Sequence, residues 1–354
     1  MASERQGPLR ILLLSDERPG HYHLSEGVVA AARRLTGIEC HKVCARRRRI
    51  LPGRLLSHMR QSYDWPPERH LKFGYGVNIK TLPAIDLVVS AGGDTLIPNV
   101  DISRSLGVPN IFCGSLRQFK PDDFSLIVTS YKRWADSPRH IVVVKPNAMD
   151  PDTLGRPDNV PQFGHHNPPK IAGLLIGGNS GLFTYRRDEW NRLLRFMLSV
   201  TEAWGTRWIV STSRRTENWL GDEIAKLARL TDAIAEFIDY RKAGPGTLPD
   251  LFARSDILVC TEDSSSMISE AVCVRMPVIG VAPESHEFKS EEADYRKFLL
   301  ENDWVRYVLI GGLSVDRLAQ VLGEVKPRND NHLDHLAGLL KTRLPDVFGG
   351  NGAL

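Results

Sequence analysis

The sequence predicts an α/β protein made of two doubly wound, Rossmann-like halves facing each other across a cleft. Three observations lead there. Short apolar runs recur in both halves, each is followed by apolar residues at helical spacing, and each ends on glycine, hydroxyl or charged residues. At 354 residues the chain exceeds one comfortable core, so two domains are expected.

Residues 9–14 form the first buried strand, which ends in Ser15 and Asp16. Residues 17–23 read as a loop, and Ser25 precedes a helix with Val28, Val29, Ala32 and Leu35 on one face. The loop lacks the three-glycine dinucleotide fingerprint, which argues against NAD or FAD. His21 and His23 stand where a general base would sit, or are idle surface imidazoles. After a strand at 38–45 come Arg46, Arg47, Arg48 and Arg49, then Arg54 and Arg60 among leucines. This is either a docking surface for anionic membrane or an acidic acceptor, or a solvated basic face. Between 63 and 80 the pattern is weak. A strand at 85–90 meets Gly92, Gly93 and Asp94, where glycines let a ligand approach the backbone and Asp94 marks the rim; a tight turn with an Asp cap reads equally well. Strands at 108–113, 124–129 and 140–144 complete the first domain, residues 1–150.

Residues 151–169 are rich in Pro, Asp, Asn and Gly and read as a linker. Asp150 and Asp152 have metal-diphosphate spacing, but off a strand end, which disfavours that use. The second domain, 170–326, opens with a strand at 171–176 running into Gly177, Gly178, Asn179, Ser180 and Gly181. Such a loop suits a phosphate or sugar against backbone N–H groups, and without a Lys-Ser/Thr ending it is no P-loop. A helix follows over 187–204, then a strand at 207–210 ending in Ser211, Thr212, Ser213, Arg214 and Arg215. Hydroxyls with two guanidiniums at a strand exit fit a diphosphate. Strands at 235–238, 257–260, 278–281 and 305–310, with helices at 248–253 and 314–322, continue the alternation. Between 261 and 272, Glu262 and Asp263 precede Ser264, Ser265 and Ser266, which cap a helix carrying Met267 and Glu270. Those serines could dock a phosphate and the acids could accept from sugar hydroxyls, or all could serve the helix end. The tail, 327–354, carries a helix at 333–344 that crosses back to the first domain.

A formal net charge of +4 does not describe a general nucleic-acid binder. Five scattered cysteines fit reduced core thiols in a cytoplasmic protein, with no zinc spacing. Neither a signal-peptide core nor a membrane-length apolar run is visible, so membrane contact is expected to be peripheral, at the inner face.

Ser15-Asp16 with Pro19-Gly20-His21, IGGNSG at 176–181, STSRRT at 211–216 and TEDSSSMISEA at 261–271 resemble the mitochondrial fission factor ELM-type family. Its bacterial members are glycosyltransferase-like proteins of GT-B architecture. The resemblance implies a nucleotide sugar in the C-terminal domain, an acceptor in the N-terminal one and no metal or other cofactor. It implies that Gly178, Asn179 and Ser180 meet donor phosphate or sugar, and that Ser211, Ser213, Arg214 and Arg215 hold the diphosphate. Glu262, Asp263, Ser264, Ser265, Ser266 and Met267 would line the donor pocket, with Glu270 on the ribose. Asp16, His21 and Asp94 are the candidate bases, His21 preferred because an imidazole titrates near neutrality. The expected acceptor is a surface glycan or lipid-linked sugar. A non-catalytic GT-B scaffold and a nucleotide-sugar epimerase or hydrolase are the alternatives.

Overall fold

The computed structural model describes residues 7–48 and 66–349. Arg49, Arg54, Arg60 and the leucines between them lie outside those residues. The chain divides into two compact units, one of residues 1–148 with 332–354, the other of 149–331.

In the first unit the elements alternate as β1 Leu9–Ser15, α1 Pro19–Ala32, β2 Ile38–Cys44, α2 Pro67–Tyr75, β3 Leu87–Ala91, α3 Leu96–Leu106, β4 Asn110–Cys113, β5 Leu126–Thr129 and β6 His140–Val142. The strands pair in parallel in the order β2-β1-β3-β4-β5-β6. Their two-residue period splits the core. Leu9, Ile11 and Leu13 pack toward α1, whereas Leu12, Leu14 and Val88 join residues of α2 and α3 on the other face. Each fully buried leucine contributes about 1.5–3 kcal/mol relative to leaving it exposed.

α1 begins six residues earlier than Ser25. Pro19 stands at its first turn, where a fixed φ and a missing N–H cost nothing. His21 and His23 therefore belong to a helix rather than a loop, and Ser25 is fully buried inside it. α2 occupies the stretch whose pattern was weak; His70, Leu71, Gly74 and Tyr75 are its buried face.

The second unit runs β7 Ile171–Ile176, β8 Phe183–Thr184, α4 Arg187–Trp204, β9 Arg207–Thr212, α5 Asn218–Leu230, β10 Ile234–Ile238, α6 Tyr240–Ala243, α7 Leu248–Arg254, β11 Ile257–Thr261, α8 Ser265–Cys273, β12 Val278–Ala282, β13 Ser285–His286, α9 Ser290–Glu301, β14 Val305–Leu309 and α10 Val315–Glu324. Its parallel sheet has the order β10-β9-β7-β11-β12-β14, and β8 pairs antiparallel with β13. In α4, Trp190, Leu193, Leu194, Met197 and Val200 repeat at helical spacing and are all buried. Glu189 anchors its start, accepting from the Arg186 N–H at 2.7 Å and the Glu284 N–H at 2.8 Å.

Residues 151–169 lie along the second unit and are not a free linker. Phe163 is in the core, and Arg156 donates to the carbonyls of Phe252 and Ser255 at 3.2 and 2.7 Å. Asp150 and Asp152 both accept from Asn331 at 2.8 Å, and Asp152 also accepts from Arg275 at 2.9 Å, so these acids fasten chain segments together. Arg275 ends the turn after α8 with a left-handed φ of 61°, held there by Asp152 and Asp158. After residue 331 the chain rejoins the first unit through α11 His332–Arg343, whose Leu333, Leu336 and Leu340 enter the core beside α1, and α12 Pro345–Phe348. Cys113, Cys260 and Cys273 are buried as expected, whereas Cys40 and Cys44 are exposed on the edge strand β2. Among the described residues no helix is long and apolar enough to cross a membrane.

Candidate functional site

Each sheet has one place where the strand order reverses, and ligands of open parallel sheets bind beyond the carboxyl ends of the strands at that place. In the second unit it falls between β7 and β11, in the first between β1 and β3. The expected residues gather at these two points.

At the second-unit point, the loop after β7 is stitched to its neighbours. The Gly177 N–H donates to Thr261 Oγ1 at 2.7 Å and the Gly178 N–H to Asp263 Oδ2 at 3.1 Å, while Ser213 and Thr216 hydroxyls donate to the Gly177 carbonyl at 2.9 and 2.7 Å. A Cβ on Gly177 would lie 2.1 Å from Asp263 Oδ2, and one on Gly178 2.2 Å from the Arg215 carbonyl oxygen. The glycines therefore serve close packing of three loops. The N–H of Gly178, a residue expected to meet donor phosphate or sugar, is taken by Asp263. Asn179 Oδ1 accepts from the Tyr185 N–H at 2.7 Å, and Ser180 pairs through its backbone with Phe183. Ser211 is buried within β9, and Ser213 is spent on the loop.

The two arginines differ. Arg215 donates to Asp263 Oδ2 at 2.5 Å, so it neutralises a carboxylate whose side chain is inaccessible. Arg214 is exposed and has no ion pair among the described residues. Of the groups expected to hold a diphosphate, Arg214 is the uncommitted cation.

Glu262, expected to line the donor pocket, is buried. Arg296 of α9 binds its carboxylate through Nε and its carbonyl through Nη2, the latter at 2.7 Å. Burial pushes the Glu262 and Asp263 carboxyls up, against the pull of Arg296 and Arg215 respectively. Ser264 holds the N-cap position of α8 but makes no side-chain cap bond; its Oγ lies 3.5 Å from that of Ser266. Ser265 and Met267 are half-buried and Ser266 is exposed. Glu270, one turn further, is only 7% exposed, and its carboxyl has no hydrogen bond or ion pair among the described residues. Desolvation pushes its carboxyl up to about 7.

At the first-unit point, His21 Nδ1 and Asp16 Oδ2 are 2.7 Å apart, with the Asp16 side chain inaccessible. A carboxylate can only accept, so in the neutral imidazole this contact puts the proton on Nδ1 and leaves the lone pair on Nε2. The imidazole occupies the space that a Cβ on Gly92 would need, 2.1 Å from Nδ1, and Gly92 has a left-handed φ of 88°. Asp94 stands between Arg18 Nη2 at 3.4 Å and Arg47 Nε at 3.6 Å, which suits a charge partner better than a base. His23 pairs with Glu26 at 3.6 Å, away from Asp16, and burial lowers its pKa.

The sequence matches the family described as Mitochondrial fission ELM1 over residues 19–323. The chain belongs to the mitochondrial fission ELM1 family. Among solved structures, MurG of Acinetobacter baumannii is similar at 12% identity and TM-score 0.53, covering 95% of this chain and 100% of MurG. A UDP-GlcNAc 2-epimerase from Methanocaldococcus jannaschii gives 14% and 0.54 over 95% and 100%. The Staphylococcus aureus MnaA–UDP structure gives 13% and 0.51 over 95% and 96%. A comparison with curated proteins finds no match. These likenesses establish the GT-B fold for this ELM1-family chain.

Sequence reasoning about the ELM1-family protein missed Tyr185 and Arg296. The Tyr185 hydroxyl donates to the Val281 carbonyl at 2.9 Å and accepts from the Glu262 N–H at 3.2 Å, tying the β11 and β12 ends together. Its only signal was an aromatic residue just beyond the glycine loop. Arg296 had none, because its partner Glu262 lies 34 positions away.

Proposed function

We propose that this ELM1-family protein is a glycosyltransferase that binds a nucleotide-sugar donor in the second unit and an acceptor hydroxyl in the first. The observation that carries the reading is Glu270. A buried carboxyl with no side-chain partner is costly, and such a group one turn into α8, the helix that opens at the sheet's switch point, is what a ligand's hydroxyls would satisfy. Ribose hydroxyls donate to Glu270 in this reading. Arg214, with the N–H groups that open α8, meets the diphosphate and offsets the charge that grows on it as the glycosidic bond breaks. His21 Nε2 takes the acceptor proton, and Asp16 holds the ring and stabilises the imidazolium. Transfer requires the two switch points to share one substrate complex. MnaA, solved with UDP, and the 2-epimerase share the fold, which supports a donor of this class and keeps epimerisation as the second reading.

Calorimetric titration with UDP, GDP and the parent sugar nucleotides tests the donor assignment. At least one should bind the wild type, and Glu270→Ala should weaken it tenfold or more. Absence of binding by the whole panel defeats the enzymatic reading and leaves a scaffold. Incubation of the bound donor without acceptor separates the second reading: a 2-epimer or free sugar formed at the rate of donor loss would replace transfer with epimerisation or hydrolysis.

A further inference from the structure

The sheet of the first unit is wholly parallel, so residues just past each strand end share one edge. That edge carries cations beyond five strands: Arg18 after β1, Arg47 after β2, Arg117 after β4, Arg133 after β5 and Lys145 after β6. The acids there are already engaged. Asp16 holds His21, Glu17 meets Arg46 at 3.6 Å, and Asp94 is shared by Arg18 and Arg47. Arg117 is different, being exposed and without an ion pair among the described residues.

Arg117 is also placed with care. Its backbone takes a left-handed φ of 53°, uncommon for a non-glycine residue, and its guanidinium lies over Gly93, where a Cβ would fall 1.9 Å from Cζ. The His21 imidazole fills the corresponding space at Gly92. A candidate base and an uncompensated guanidinium are thus seated on consecutive residues, whose Cα atoms are about 3.8 Å apart. A planar, permanently charged fork beside the reacting hydroxyl suits a phosphate oxygen pair.

We infer that the acceptor is a phosphate-bearing glycan, its phosphate ester bound by Arg117 with Arg47 and Arg18 while a neighbouring sugar hydroxyl meets His21. This deepens the reading of the first unit as the acceptor side and rests on it.

The full-length protein is titrated with mannose 6-phosphate and with mannose. The phosphate ester should bind at least tenfold more tightly than the neutral sugar, and its affinity should fall with added salt. Arg117→Gly removes the guanidinium while tolerating the left-handed backbone, so it should fold and lose tenfold or more. Arg117→Lys should recover part of that loss. Arg214→Ala should leave mannose 6-phosphate affinity within twofold while weakening UDP. Equal binding of the two sugars, or unchanged binding by Arg117→Gly, overturns the inference. So does a loss in Arg214→Ala alone, which puts the phosphate in the second unit. Sedimentation with phosphatidylglycerol vesicles adds one more outcome: Arg117-dependent vesicle binding without soluble-ester binding makes the edge a membrane contact and overturns the glycan assignment. Failure of the UDP titration bears on the donor reading only, because mannose 6-phosphate binding is read separately.

Discussion

The two sheet edges are built by the same winding rule and finished in opposite ways. Beyond β7, β9 and β11 the second unit ties its loops with neutral hydroxyls and with ion pairs on Asp263 and Glu262: Thr261, Ser213 and Thr216 on the glycine loop, Arg215 on Asp263, Arg296 on Glu262. The first unit ends in cations around two glycines, with a single buried acid beneath a histidine. One edge is a stiff mould with few open groups; the other is an electrostatic surface. A mould recognises one ligand shape, whereas a charged edge attracts a class of ligands.

If the second edge is stiff, removing a pin should unfold more than a loop. Arg296 and Glu262 side chains are 8% and 4% exposed, and Arg296→Ala leaves the carboxylate buried without its partner. Loss of about 3–5 kcal/mol by urea unfolding is expected. Adding Glu262→Gln should recover part of it. A single variant as stable as wild type would mean that the mould does not depend on this pair.

Glu270 gives the next effect. Its folded pKa of about 7 is raised above the ordinary glutamate value. The unfolded chain then releases this proton at lower pH than the folded one, so its contribution is complete in acid and fades as pH climbs through 7. On the order of 3 kcal/mol is at stake for such a shift. Glu270→Gln should flatten that part of the stability profile and be relatively more stable at pH 8. Nucleotide affinity should rise with pH through about 7 in the wild type and stay level in the glutamine variant, because ribose hydroxyls favour the ionised acceptor.

Arg214→Ala tests whether the uncommitted guanidinium is the open end of the mould. Exposed and unpaired, it should cost nucleoside diphosphate binding about 1.5–3 kcal/mol by calorimetry. Thermal unfolding of the unliganded protein should barely move. Equal loss in Arg215→Ala with no change in stability would show that the Asp263 pair does not restrain Arg215.

Much of this was legible in the sequence. Parallel strands buried on both faces leave near-continuous apolar runs, and their polar ends marked both switch points, including Asp16, His21 and the residues from Gly177 to Glu270. What was not legible is which of those groups are consumed by the fold. Hydroxyls and acids at strand ends look alike whether they await a ligand or, like Ser213 and Glu262, bond to loops distant in sequence. The start of α1 was misplaced for a local reason: Pro-Gly reads as a turn, yet proline is also at home in a helix's first turn.

The smallest effect makes the sharpest comparison. A serine at an N-cap normally contributes about 1 kcal/mol through its bond to the N2 or N3 amide. Ser264 sits in that position with φ −115° and ψ 77° and makes no such bond. Ser264→Ala should therefore cost less than about 0.5 kcal/mol in stability. If the hydroxyl and the amides that open α8 belong to the ligand, the same variant should weaken nucleotide binding several-fold, because hydroxyl and amides converge on one anion. A stability loss near the usual cap value with unchanged binding would reverse this, making the serine part of the mould's frame and leaving Arg214 and Glu270 as its ligand-facing groups.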